Sequence, residues 1–363
     1  MKRDLSRKRP YKARSNEEGF ILVTVLIVIA LLFPLVLAFN SRVQLNLTQA
    51  ENFRNSIQAL RMARSGVEGS IGILKASDPT YDSPRSSWAT GFPALSLGQG
   101  ILKVSIVDED GRMPVNNLVA SSTPPSTGAP GTPASTSATG APAPATTLGK
   151  TTTATTAAAA PPTVNKDLNT QLRATITTLG GKPEIVDALI DWLDPDNIVT
   201  GNAGAEDAYY RGLGYRCKHG PMDSLDELVL VMGFDKELVN DRGFRDYLTI
   251  APTDGKINVN TAPLEVLQAV LGTQTGTLAQ PLTEADIEDL DRYRSGHELK
   301  SLSDINAVKI SSGDLSKITP LIKVNSSYFT VSSAYTLGKV TKNVEAVLKR
   351  AGSTVSIISW RES

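Results

Sequence analysis

Residues 20–39 form a run of twenty side chains in which only Thr24 and Pro34 interrupt apolar residues. As a helix rising about 1.5 Å per residue, the run reaches about 30 Å, the thickness of one bilayer core. The pattern then changes. Over 41–76, Leu45, Leu47, Phe53, Ile57, Leu60, Val67, Ile71 and Leu74 recur near helical spacing among Arg, Gln and Asn. Together the two stretches predict one helix that starts in a membrane and leaves it as an amphipathic rod. Alternation of apolar and polar residues takes over at 101–107, 328–337, 340–349 and 354–360, with Gly338 and Gly352 at the turns. Four such strands predict one antiparallel sheet. Residues 165–320 read as mostly helical, with starts at Pro183-Glu184, Ser224-Leu225-Asp226-Glu227, Thr261-Ala262-Pro263 and Thr283-Glu284.

Across 363 residues, 37 basic side chains balance 37 acidic ones, so no overall charge draws the chain to nucleic acid. One cysteine, Cys217, excludes an intramolecular disulfide and any multi-cysteine metal site. Charge is informative at the start, where Lys2, Arg3, Arg7, Lys8, Arg9, Lys12 and Arg14 outnumber Asp4, Glu17 and Glu18. A basic flank ahead of the apolar run places 1–19 in the cytoplasm and the chain beyond residue 40 across the membrane. Ala38-Phe39-Asn40-Ser41 matches a secretory cleavage site poorly, so the anchor is expected to stay. In 121–163, 41 of 43 residues are Ala, Pro, Ser, Thr or Gly, a composition unable to bury a core. As a flexible spacer this tract would average about 36 Å from end to end.

A basic leader ending in Gly19, an aromatic Phe20 and an amphipathic extension resemble the class III signal of type IV pilins and pseudopilins. The resemblance implies that a prepilin peptidase cuts between Gly19 and Phe20 and N-methylates Phe20. Most such subunits carry Glu as the fifth mature residue, where this chain has Thr24. A carboxylate in the bilayer is costly unless paired, so its loss suggests a subunit with no neighbour ahead of it. The plainer reading is a threonine bonded back to its own helix. Three further stretches resemble the K-type minor pseudopilin family of type II secretion: Asp108-Glu109-Asp110-Gly111-Arg112 with Val115-Asn116; Leu189-Ile190-Asp191-Trp192-Leu193-Asp194-Pro195-Asp196; and Gly204-Ala205-Glu206-Asp207 with Tyr209-Tyr210.

That resemblance implies an α+β chain with a pilin-like fold: a long N-terminal helix, partly transmembrane, packed on an antiparallel sheet, with a large all-helical domain inserted into the sheet. The layout is then a leader over 1–19, a transmembrane part over 20–40, and the amphipathic helix with the first strand over 41–120. A disordered linker over 121–163, the inserted helical domain over 164–322 and the last strands over 323–363 follow. The implied role is to initiate or cap the pseudopilus tip at the inner membrane, with most of the chain periplasmic. Expected partners are the I-type and J-type minor pseudopilins and the prepilin peptidase, with secreted substrates or the outer-membrane secretin as further contacts.

The richest constellation of chemistry is carboxylic: Asp187, Asp191, Asp194, Asp196, Glu206 and Asp207. Calcium takes about six to eight oxygens from carboxylates, amides and backbone. Asp194, Asp196, Glu206 and Asp207 are the candidate ligands, and calcium described in the helical domain of K-type subunits agrees. Helix caps and a solvated loop are the alternative. The spacing is not that of an EF-hand, since Ile198 occupies the third ligand position.

Two octets echo each other, Asp110-Gly111-Arg112-Met113-Pro114-Val115-Asn116-Asn117 and Asp254-Gly255-Lys256-Ile257-Asn258-Val259-Asn260-Thr261. Each reads as a strand leading into a helix, with Asn or Thr as cap. Residues 254–310 also resemble a helix-hairpin-helix module, which raises a rival reading as a membrane-tethered DNA-uptake protein. The 272–281 link lacks the glycine pattern whose amides face phosphate, and Asp254, Glu265, Glu284, Asp286, Glu288, Asp289 and Asp291 would repel DNA. No nucleic-acid partner is therefore expected. Cys217 and His219 stand outside any nucleophile motif, no Gly-x-Ser-x-Gly or His-Glu-x-x-His occurs, and no enzyme is expected.

Overall fold

The computed structural model describes residues 17–91, 94–120, 163–308 and 315–363. The chain opens on α1 (Glu17–Ala76), which runs unbroken through Pro34. Short β1 (Leu95–Leu97) and long β2 (Gly100–Asp108) follow. Then come β3 (Met113–Pro114), β4 (Val119–Ala120), β5 (Thr163–Val164), α2 (Lys166–Thr178), α3 (Val186–Leu193), α4 (Asp207–Gly212) and β6 (Leu248–Thr249). A second series holds β7 (Ile257–Asn258), α5 (Leu264–Leu271), α6 (Glu284–Gly296) and β8 (Ile322–Lys323). β9 (Tyr328–Leu337), β10 (Val340–Ala351) and β11 (Thr354–Glu362) close the chain.

The main sheet is antiparallel in the order β1-β2-β9-β10-β11. The four strands expected from alternation are all present, and β1 adds a fifth at the edge. Everything between Asp108 and Tyr328 leaves and re-enters between two neighbouring strands, because Asp108 pairs with Phe329.

α1 divides into two halves by burial. Residues 20–54 are exposed throughout, and in 20–39 nearly every exposed side chain is apolar. The Thr24 hydroxyl donates to the Phe20 carbonyl at 2.8 Å. Further on, Ala59, Ala63, Val67, Ser70 and Leu74 are buried at spacings of three and four, the stripe a helix needs to lie on a sheet. They meet Leu102, Phe329, Val331, Tyr335, Val344, Ala346 and Leu348 in one core. The approach is closest at Gly66, where an added Cβ would lie 2.2 Å from Ser333 Oγ.

A separate core fills the inserted body, built around Leu172, Ile176, Leu189, Trp192, Tyr210, Phe244, Leu267 and Leu290. Two polar nodes join it to the rest of the chain, one at β2 and one in the segment after α1. At the first, Asp108 accepts from Asn258 Nδ2 at 3.0 Å, Thr261 Oγ1 at 2.5 Å and Ser326 Oγ at 2.5 Å, while Lys323 Nζ reaches Asp110 at 2.8 Å. At the second, Ser83 Oγ donates to Glu298 and Arg85 to the carbonyl of Gly296. That contact puts the inserted body at the end of α1 remote from its apolar half.

The octet echo extends into a tandem duplication. β3 pairs in parallel with β6, and β7 in parallel with β8. The first pair encloses α2, α3 and the short α4, the second α5 and α6, and each unit then has a 3-10 turn capped by Ser224 or Ser301 through a capping box. Asn116 and Asn260 are not helix caps, contrary to the sequence expectation. Each turns its amide onto one backbone residue, accepting from its N–H and donating to its carbonyl: Met222 for Asn116, Leu299 for Asn260. Asn165 caps α2 instead, accepting from Leu168 N–H at 3.1 Å.

Residues 121–162 of the low-complexity tract and residues 1–16 of the leader lie outside the described residues. Thr163, the last residue of the tract, belongs to β5 and pairs with Ala120 of β4. Partners across an antiparallel ladder stand about 5 Å apart. The tract therefore departs and returns at neighbouring residues of the inserted body, where a free chain of its length would average about 36 Å between its ends.

Candidate functional site

Every residue of α3 is buried, which includes two aspartates one turn apart. Asp187 is neutralised by Arg173, whose Nη2 forms an ion pair with it. Asp191 has no such cation. Its Oδ1 accepts from Thr200 N–H at 2.9 Å, and its Oδ2 is buried without a partner. Gly204 explains how the loop closes on it, since a Cβ there would lie 2.3 Å from Asp191 Oδ2 and 2.4 Å from the Thr200 carbonyl. Trp192 packs edge-on against Tyr210 of α4 with centroids 5.1 Å apart, fixing α3 against α4.

That packing gathers three carboxylates. Asp194 follows α3 directly, and its Oδ1 has no partner. Glu206 precedes α4, is 4% exposed and leaves both oxygens unpartnered. One ligand oxygen from each of Asp191, Asp194 and Glu206 lies within 4.8 Å of the others. Asp191 and Asp194 also sit at the carbonyl end of α3, where the helix dipole is negative. Burial first, then Asp196 and Asp191, push Asp194 up to about 7. Burial and then Asp191 and Asp194 push Glu206 up to about 8. Burial likewise raises Asp191. Orphaned buried carboxylates of this kind are costly unless an ion or a proton joins them. The all-oxygen donor set fits a hard cation such as calcium.

Of the four ligands expected from sequence, Asp194 and Glu206 come together here. Asp196 Oδ1 accepts from Ile198 N–H at 2.8 Å, closing its own turn. Asp207 is taken by Arg211 one turn on, at 2.7 Å, and by Cys217 N–H at 3.2 Å. Asp191, part of the carboxylate cluster but not one of those four, joins them because the Thr200 and Gly204 loop folds onto it. Cys217 is buried, and His219 Nδ1 stands 3.8 Å from Glu206 Oε2.

In the helix-hairpin-helix-like segment, Arg294 is turned inward, donating to the carbonyls of Val259 and Ala262 and pairing with Asp291. Glu284 and Glu288 of α6 face solvent, beside the exposed ion pair of Arg292 with Asp289.

A membrane-length apolar helix laid on an antiparallel sheet, carrying an inserted helical body, defines a pilin-like filament subunit. The family described as type II secretion system (T2SS), protein K, matches residues 111–253. The type II secretion system protein K of Pseudomonas aeruginosa is 26% identical over 354 residues, which is 93% of this chain and 90% of that one. Its counterpart from Aeromonas hydrophila is 29% identical over 175 residues, 46% of this chain and 50% of that one. In fold, the chain resembles the crystal structure of the GspK-GspI-GspJ complex from enterotoxigenic Escherichia coli, with a TM-score of 0.59 at 17% identity, covering 87% of this chain and 99% of that one. The chain is similar to type II secretion system protein K along most of its length and carries that family's domain over residues 111–253, and these likenesses support a minor pseudopilin of type II secretion. The DNA-uptake alternative has no support in these comparisons.

Proposed function

We propose that this minor pseudopilin caps the pseudopilus tip, starting its assembly together with I-type and J-type subunits, and that it does so without catalysis. The observation that carries this is the place of the inserted body, at the end of α1 remote from the apolar half and tied there through Ser83 and Arg85. A body of that size above the sheet leaves no room for another subunit to stack. Thr24 bonds back to the Phe20 carbonyl, as the plainer reading has it, and brings no carboxylate to a neighbour's amine. The apolar half of α1 anchors the chain in the inner membrane, with the sheet and inserted body in the periplasm. Asp191, Asp194 and Glu206 hold a calcium ion that offsets their mutual repulsion and ties α3 to the loop before α4.

The test is the intact mass of the chain recovered from cells with and without a prepilin peptidase, followed by co-purification with the I-type and J-type subunits. A chain beginning at N-methylated Phe20 that retains both partners is the expected result. Retention of residues 1–19 refutes entry into the pilin pathway. Correct processing without co-purification refutes the tip position alone.

A further inference from the structure

We infer that Glu206, Cys217 and His219 form a second metal site, suited to a zinc-class divalent cation and sharing Glu206 with the carboxylate trio. Their ligand atoms lie within 4.8 Å of one another. Glu206 is 4% exposed, and neither of its oxygens has a hydrogen-bond partner. His219 Nδ1 is equally buried and unpartnered, and it faces Glu206 Oε2. On the other side of the ring, Nε2 stands 3.6 Å from Asp207 Oδ1. A carboxylate on that side of the imidazole is the kind of partner that orients a metal-binding histidine, standing here just beyond hydrogen-bond distance. Asp207 also receives the Cys217 N–H, so its carboxylate lies beside both ends of the Cys-Lys-His loop.

Donor chemistry distinguishes this set from its neighbour. Thiolate and imidazole suit zinc, whereas carboxylates alone suit calcium. Glu206, with two free oxygens, stands where the hard and soft halves meet. Three protein donors leave a coordination position open, and the His219 side chain, 26% exposed, gives an ion a way in. Burial pushes the Cys217 thiol up to about 12, so the ion has to displace its proton. The Sγ–H bond breaks, an Sγ–metal bond forms, the proton passes to solvent, and no electron moves.

This inference rests on the loop's donors and not on the calcium reading, and Asp194→Asn separates the two. The untagged, reduced full chain in detergent is titrated with cobalt(II) as an optical stand-in for zinc. Expected is one bound equivalent with thiolate-to-cobalt absorption in the near ultraviolet, removed by added zinc. With a single cysteine in the chain, that absorption can come only from Cys217. It should vanish in Cys217→Ser, weaken at least tenfold in affinity in His219→Ala, and persist in Asp194→Asn. Circular dichroism checks that each variant is folded, and His219→Ala carries the test should Cys217→Ser unfold. Absence of the band in the parent chain overturns the inference. So does undiminished affinity in folded His219→Ala, or loss of the band in folded Asp194→Asn, which would make Asp194 a ligand of the same ion and leave no separate second site.

Discussion

Asp82 and Arg350 form an ion pair whose side chains are both shut away from solvent, at 0% and 2% exposure. The pair ties the segment after α1 to the end of β10. Trp88 Nε1 donates to Asp82 at 2.8 Å, Ser326 N–H donates to it at 2.7 Å, and the Arg350 guanidinium lies over the Phe329 ring. Burial raises the Asp82 carboxyl above the usual carboxylate range, against the downward pull of Arg350. Removing one partner strands a buried charge. Arg350→Met is expected to lower stability by about 3–5 kcal/mol, and Asp82→Leu in the same chain to restore part of it. Denaturant titration of the single and double variants checks this, and a double variant no better than Arg350→Met alone would count against it.

Two glycines one turn apart on α1 should respond in opposite directions. Gly66 touches the sheet, where a methyl would collide with Ser333 Oγ and crowd Val104 and Leu102, while Gly69 has nothing within 4 Å. Gly66→Ala is expected to destabilise by about 1–3 kcal/mol through overpacking. Gly69→Ala should stabilise by up to about 1 kcal/mol, because alanine is the better helix former. Thermal melts of the two variants side by side distinguish close approach from general intolerance of change in α1.

Removing calcium should loosen the trio. With the ion at about a hundred times its dissociation constant, binding adds about 2.7 kcal/mol to stability. A chelator is therefore expected to lower the melting temperature of the parent chain. In Asp194→Asn, calcium should no longer raise the melting temperature, since the trio has lost an anionic donor. Calorimetry with and without chelator reads both effects.

Asp108 provides a pH signature. Burial and then Asp110 push it up to about 7, outweighing the hydrogen bonds it accepts. Its unfolded value lies near 4, so between about pH 4 and 7 the folded chain holds a proton that the unfolded chain releases. Stability from this group is present below that window and is lost as pH rises through 7, with a slope of at most about 1.4 kcal/mol per pH unit. Asp108→Asn should flatten the profile across the window at constant calcium. An unchanged slope would show that other groups set it.

The long helix and the four main strands were legible because their periods, 3.6 and 2, persist over many residues. β1 was not, for three residues are too few to show alternation. The duplicated unit showed in sequence only as two octets, since the helices that follow them, α2 and α5, differ in length and sequence. In the carboxylate cluster, composition picked the region but could not rank its members. Arg211, one turn after Asp207, removes that aspartate from the set. The folding of the Thr200 and Gly204 loop onto α3 brings Asp191 in. Both are outcomes of tertiary packing that no local spacing encodes.

The Ala120–Thr163 pairing bears on how this subunit can be handled in the laboratory. Because the chain exits and re-enters at adjacent residues, the stretch between them can be exchanged for a short turn, or for an independently folding tag whose termini lie close together, without altering the register of any strand in the main sheet. A label introduced there would report on the subunit in an assembled filament while leaving the anchor, the sheet and the carboxylate loop untouched.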